Sequence, residues 1–183
     1  MAHRYYELHV AGLKRQLPVL NVSDTLAIAG FVILGDTEIV EKTAAELAQK
    51  VPAETEYLLV AETKGIPLAH AMARILHMDR YIVARKSVKA YMEHPLIVED
   101  QSITTAGKQI LCLQDEDIQR VKGHKILLVD DVISTGGSMK AMETLVEKAG
   151  GEVVGKMAIL AEGDAMGRND ITVLANLPLF KPE

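Results

Sequence analysis

Apolar and polar positions along this chain follow two periods that succeed one another. Behind Asp36, the residues Ile39, Thr43 and Leu47, with Val40, Ala44 and Ala48 beside them, recur at helical spacing, and Asp36 is a suitable N-cap. The run Tyr57-Leu58-Leu59-Val60-Ala61 is short and unbroken, the pattern of a strand covered on both faces. Pro67 then stands in the first turn of a helix predicted to reach about His77. Tyr81-Ile82-Val83-Ala84, Ile110-Leu111-Cys112-Leu113 and Ile126-Leu127-Leu128-Val129 supply three more strands. Met139, Met142, Leu145, Val146 and Ala149 mark one face of a helix that stops at Gly150-Gly151. Residues 153–160 and 171–177 complete the set as strands. Strands alternating with helices predict an α/β fold, a mainly parallel sheet flanked by helices.

Two regions break the alternation. Residues 17–34 hold strand-like pieces ahead of the first strand–helix unit and are expected to form a small N-terminal hood or flap. Residues 87–108 are polar and poorly periodic, and a connection of that length inside a compact domain is expected to be a flexible lid loop. Otherwise the 183 residues fit one domain, 1–183, large enough to bury its own core.

Charge and composition narrow the function. A net charge of −5 with acids and bases intermixed argues against a nucleic-acid or anionic-membrane surface. No apolar run reaches the roughly 18 residues of a membrane span, and no apolar leader follows Met1, so a soluble, cytoplasmic protein is expected. The one cysteine, Cys112, lies in an apolar run and is expected to be a buried strand thiol. His70 and His77 share a helix face at a spacing unsuited to metal binding, and no protein metal site is expected. Asp115-Glu116-Asp117 fits a solvated helix N-terminus.

The chemistry concentrates in Ile126-Leu127-Leu128-Val129-Asp130-Asp131-Val132-Ile133-Ser134-Thr135-Gly136-Gly137-Ser138 and the helix behind it. A buried strand delivers two adjacent carboxylates to its carboxyl end, where open α/β sheets place their ligands. Gly136 and Gly137 allow the backbone to approach a ligand closely, and the hydroxyls of Ser134, Thr135 and Ser138 surround them. The free N–H groups of the following helix, at its positive end, complete a phosphate cradle. Acids next to a phosphate need another task, and binding vicinal sugar hydroxyls or a screening metal are two. A phosphate beside a diol describes a ribose 5-phosphate. No Gly-x4-Gly-Lys-[Ser/Thr] spacing is present, so an ATPase P-loop is excluded.

Residues 128–138 resemble the 5-phosphoribosyl-1-pyrophosphate (PRPP) signature of the type I phosphoribosyltransferases, and among these the adenine and xanthine (purine) enzymes are the most similar. The resemblance covers the chain from about Leu17 onward. It implies a purine phosphoribosyltransferase, adenine-type, acting in purine salvage on PRPP and a purine base with Mg²⁺ carried mainly by PRPP, and a homodimer. Asp130 and Asp131 would be the catalytic pair on the ribose hydroxyls, and Ser134, Thr135, Gly136, Gly137 and Ser138 would hold the 5′-phosphate. Thr63, Lys64 and Gly65 correspond to the pyrophosphate loop, with Lys64 where arginine is usual, a point charge without arginine's fork. Arg85 and Lys86 end the next strand, and two cations there would balance a pyrophosphate. Val132, Leu26 and Ile28 are the candidates for contact with the base.

Three segments depart from or extend that pattern. The glutamate expected near the end of the lid is replaced by Ile103-Thr104-Thr105-Ala106, with Glu99 and Asp100 several residues earlier. The flap carries Ala27-Ile28-Ala29-Gly30 in place of an aromatic and basic run, which makes a more apolar base pocket. Ala161-Glu162-Gly163-Asp164-Ala165-Met166-Gly167-Arg168 follows a strand, resembles the Gly-Arg-containing segment near the C-terminus of purine-type members, and is assigned no chemistry. A non-enzymatic PRPP sensor would keep the same site but needs an added partner surface, for which no strong basic patch is present. Hypoxanthine, xanthine and orotate remain open as alternative bases.

Overall fold

The computed structural model describes residues 4–100 and 109–182. In chain order these form β1 (Tyr5–Val10), β2 (Leu13–Asn21), β3 (Ala27–Ala29), α1 (Thr37–Ala48), β4 (Tyr57–Ala61), α2 (Ile66–Ile75), β5 (Ile82–Ala84), β6 (Leu96–Asp100), β7 (Gln109–Leu113), α3 (Asp115–Val121), β8 (Lys125–Ile133), α4 (Gly137–Ala149), β9 (Glu152–Glu162), β10 (Thr172–Leu177) and β11 (Leu179–Phe180). The expected α/β architecture is present: β10-β9-β8-β4-β5 make a wholly parallel five-stranded sheet. Its strands are apolar on both faces because helices cover both. Leu58, Leu127 and Val129 pack in the layer with α1 and α2. Leu59, Ile126 and Leu128 pack in the layer with α4. No helix among the described residues is long and apolar enough to cross a membrane.

The order of strands matters for the site. After β4 the chain crosses to β5 on one side, then returns to β8 on the other, so the winding reverses between β4 and β8. Ligand crevices of open α/β sheets lie at such reversals, outside the carboxyl ends. The register sharpens the point. β4 stays paired with β8 only as far as Val60↔Val129, whereas β9 follows β8 to Ile133↔Ala161. Asp130 and Asp131 are therefore the first residues of β8 with an open flank.

Residues 4–29 and the C-terminal strand form a second sheet, ordered β1-β2-β3-β11 and antiparallel. It begins at Tyr5, ahead of the strand-like pieces expected from Leu17. Its hairpin turns at Ala11 and Gly12, with φ of 50° and 73°, the left-handed pair that matches strand twist. Leu8, Val10, Leu17, Ala29, Phe31 and Ile33 bury into the same core layer as α1 and α2. A charge contact fixes the junction: Arg15 of β2 donates to both carboxylate oxygens of Asp36, at 2.6 and 3.0 Å. Asp36 also caps α1 by accepting from the Ile39 N–H at 3.1 Å. Cys112 is buried in β7, which tethers to the end of β5 through reciprocal backbone bonds between Arg85 and Cys112. β6 lies within the segment that the pattern left without strands. Residues 103–106, where the departure from the lid pattern falls, lie outside the described residues.

Asp36 serves two elements at once, and the hydrogen bonds from Arg15 hold its carboxyl below the usual carboxylate range. Its stabilising contribution is thus complete above the unfolded value near pH ~4 and lost as pH falls through the lower folded value. Asp36→Ala is expected to lower unfolding free energy by about 1–2 kcal/mol at neutral pH. In urea titrations the difference from wild type should shrink below pH ~4; a deficit that does not change with pH would contradict it.

Candidate active site

β8 carries Asp130 and Asp131 out of the sheet, and the chain then turns through Ser134, Thr135 and Gly136 into α4. Gly136 is the N-cap residue of α4 with φ of 83°, a conformation that favours glycine, and no side chain caps this helix end. The first turn of α4 therefore presents backbone N–H groups and its positive dipole end towards the cavity.

The facing wall comes from β4 and α2. Thr63, Lys64 and Gly65 join them, and α2 likewise starts at Gly65 without a side-chain cap. The Glu62–Thr63 peptide is cis. Glycine at 65 has a packing reason: a Cβ there would stand 2.8 Å from Val60 Cγ2 and 3.3 Å from Asp130 Oδ1. This loop thus lies directly against the tip of β8, and its ammonium reaches across. Lys64 Nζ is 3.1 Å from Asp131 Oδ2, a charge contact without hydrogen-bond alignment, and Asp131 is only 3% exposed.

Asp130 accepts from the Asp131 N–H at 2.9 Å. Desolvation at the crowded strand tip, reinforced by the neighbouring Asp131 charge, pushes the Asp130 carboxyl well above the usual range; Lys64 pulls the other way. Two acids at one strand tip, one lysine opposite, and an uncapped helix start make a site for a ligand that brings both hydroxyls and negative charge.

These elements enclose a cavity of about 480 Å³. Its wall brings together Thr63, Lys64, Lys86, Asp130, Asp131, Val132, Ser134, Thr135, Gly136, Gly137, Ser138 and Ile28. Gly65 underlies the loop as described. Arg85 and Leu26 are not in the wall. Arg85 Nη1 donates to the Tyr91 hydroxyl at 2.9 Å and its Nε lies 3.3 Å from Glu62 Oε1, so it is turned aside while Lys86 faces the cavity. Glu62 in turn accepts from the Lys86 N–H at 2.9 Å, and that bond and Arg85 hold its carboxyl below the usual range. Leu26 spends its carbonyl closing the turn from Val22 and Ser23. Phe31, Val32 and Leu177 also line the cavity and were not among the residues the sequence pattern singled out, and Glu162, from the segment assigned no chemistry, lines it too. Among the described residues no group of three His, Cys, Asp or Glu side chains could hold a metal ion.

Comparison with known proteins agrees with this architecture. The phosphoribosyl transferase domain family matches residues 34–174. The adenine phosphoribosyltransferase of Thermosipho africanus is 34% identical over 140 residues, 76% of this chain and 78% of that protein. The hypoxanthine/guanine phosphoribosyltransferase of Methanococcus voltae is 28% identical over 141 residues, 77% of this chain and 71% of that protein. The crystal structure of adenine phosphoribosyltransferase from Thermoanaerobacter pseudethanolicus superposes with a TM-score of 0.66 at 25% identity, covering 79% of this chain and 84% of that one.

Two stability measurements follow from the geometry. Because the folded chain holds the Asp130 carboxyl above its unfolded value, ionising it costs stability, fully above the folded value and not at all below pH ~4. Asp130→Asn should therefore melt higher than wild type at neutral pH, with the gain vanishing below pH ~4; a lower melting temperature at pH 7 would contradict this. Gly65→Ala, by contrast, should cost about 1–3 kcal/mol in urea unfolding through overpacking against Val60, and a change within a few tenths would show that the loop yields freely.

Proposed function

The chain belongs to the phosphoribosyltransferase family as an enzyme of the purine type, and from that premise we propose that it transfers the 5-phosphoribosyl group of PRPP to a purine base, adenine-type first, releasing pyrophosphate and a nucleoside monophosphate. The observation that carries this reading is the acid pair of Asp130 and Asp131 beside the uncapped start of α4, across a crevice from Lys64. A 5′-phosphate on residues 134–138 would be met by backbone N–H groups, hydroxyls and the helix dipole. The ribose diol would then fall to Asp130 and Asp131, which accept from both hydroxyls.

With the sugar so placed, the pyrophosphate would lie towards Thr63, Lys64, Gly65 and Lys86. Arg85 would act through Glu62, whose bond to the Lys86 N–H fixes the end of β5. When PRPP binds, Lys64 would leave Asp131 for the pyrophosphate, so one movement frees the acid for the ribose and supplies the charge for the leaving group. The anomeric C–O bond breaks as a ring nitrogen of the base attacks from the opposite face; the carboxylates offset positive charge on the ribose while the lysines stabilise departing negative charge. The adjacent acids at the strand tip fit a cation that arrives chelated by PRPP. Mg²⁺ would neutralise pyrophosphate charge there, with Asp130 and Asp131 the residues nearest to hold it through the ribose hydroxyls.

Residues 17–34 would act as the hood over the base, with Ile28 and Val132 against its ring, and residues 87–108 as the lid that excludes water from the activated sugar. Asp131→Asn should lower turnover of PRPP with a purine by about 100-fold or more, with an unchanged circular dichroism spectrum. Turnover near wild type would remove the assignment of the acid pair.

A further inference from the structure

The cavity holds four carboxylates, and three of them are engaged. Glu62 accepts from the Lys86 N–H, Asp130 accepts from the Asp131 N–H, and Asp131 faces Lys64. The fourth is Glu162, the last residue of β9, whose carboxylate makes no hydrogen bond or ion pair among the described residues. Strand register fixes where it stands. Val132 pairs with Leu160 and Leu177 pairs with Glu162, and by alternation Glu162 falls on the face that carries Leu160 and Leu177. That face meets the hood, and Ile28, Phe31, Val32, Val132 and Leu177 share the cavity wall with it.

An acid in such company needs a donor. Burial pushes the Glu162 carboxyl above the usual range, and Lys64, which is not within ion-pair reach, pulls it back only in part. The cations of the wall, Lys64 and Lys86, belong to the loops on the pyrophosphate side. A base seated against this wall would bring N–H groups to it. In an apolar subsite a carboxylate strengthens a hydrogen bond from an amine and repels a carbonyl oxygen in the same place.

Resting on the reading of this cavity as a purine phosphoribosyltransferase site, we infer that Glu162 accepts a hydrogen bond from an exocyclic amino group of the base, so that the enzyme selects aminopurines, adenine or guanine, over the purines without an amine, hypoxanthine and xanthine. A site that hydrogen-bonds a substrate N–H discriminates against the analogue lacking it, because its own acceptor, half-buried here, then loses that partner. Glu162 is in this sense a specificity-determining residue, distinct from the groups that hold PRPP.

The test is kcat/KM for adenine, guanine, hypoxanthine and xanthine at saturating Mg²⁺–PRPP, in wild type and in Glu162→Gln, with PRPP affinity measured separately by calorimetry. Wild type should favour at least one aminopurine over hypoxanthine by about tenfold or more, the adenine and guanine arms identifying which, and Glu162→Gln should shrink that ratio by about tenfold with PRPP affinity retained. Equal kcat/KM across the four bases in wild type would overturn this inference and leave the transferase reading standing. An unchanged ratio in a Glu162→Gln protein that binds PRPP normally would overturn it as well. If wild type binds PRPP and turns over none of the four bases, the purine transferase reading itself fails and this inference falls with it.

Discussion

Two carboxylates on consecutive residues at a strand tip repel one another, and the rest of this structure is arranged around keeping them there. Asp131 is buried and faces Lys64 at 3.1 Å, while Asp130 takes the Asp131 N–H and is held partly by the acidity it gives up. Lys64 can reach because Gly65 lets its loop lie against the backbone of Asp130. The loop sits there because the sheet reverses its winding between β4 and β8. Remove the glycine or the reversal and the acids lose their counter-charge. Proteins tolerate such local cost where a ligand relieves it, and the proposed sugar phosphate, with two hydroxyls and a charged leaving group, would relieve it.

Much of this was legible in the sequence because the parallel sheet writes itself as unbroken apolar runs. The segment from Ile126 to Ser138 contained strand, acids, turn and helix start in one stretch, and the structure places them as that order requires. Other parts were harder for identifiable reasons. The N-terminal sheet is half-exposed, so β1 alternates rather than running apolar, although Leu8 and Val10 inward and Ala11-Gly12 at the turn carried the signal. β11 has two residues and pairs with β3 from the far end of the chain, a contact that no local pattern encodes. Arg85 and Lys86 looked equivalent as a cationic pair. Neighbours on a strand edge face opposite ways, and only Lys86 meets the cavity. Glu162 follows Met157-Ala158-Ile159-Leu160-Ala161 as Asp130 follows its own apolar run, but no local pattern encodes which residues of the distant hood stand beside it.

The family match spans residues 34–174, which leaves the β1–β3 sheet and β11 outside it. The division has a physical sense. The matched part contains the acid pair, the turn at residues 134–138 and the Lys64 loop. The unmatched part supplies Ile28, Phe31 and Leu177 to the other side of the cavity, the side proposed to hold the base. Core packing still joins the two, since Phe31 and Ile33 bury with α1 and α2 and Arg15 grips Asp36.

A crystal structure of the protein soaked with ribose 5-phosphate tests the central arrangement most directly. The phosphate should rest on the N–H groups of residues 134–138 at the start of α4, with the 2′- and 3′-hydroxyls on Asp130 and Asp131 and Lys64 swung away from Asp131. A sugar phosphate bound elsewhere, or one whose hydroxyls leave both acids untouched, would contradict the account.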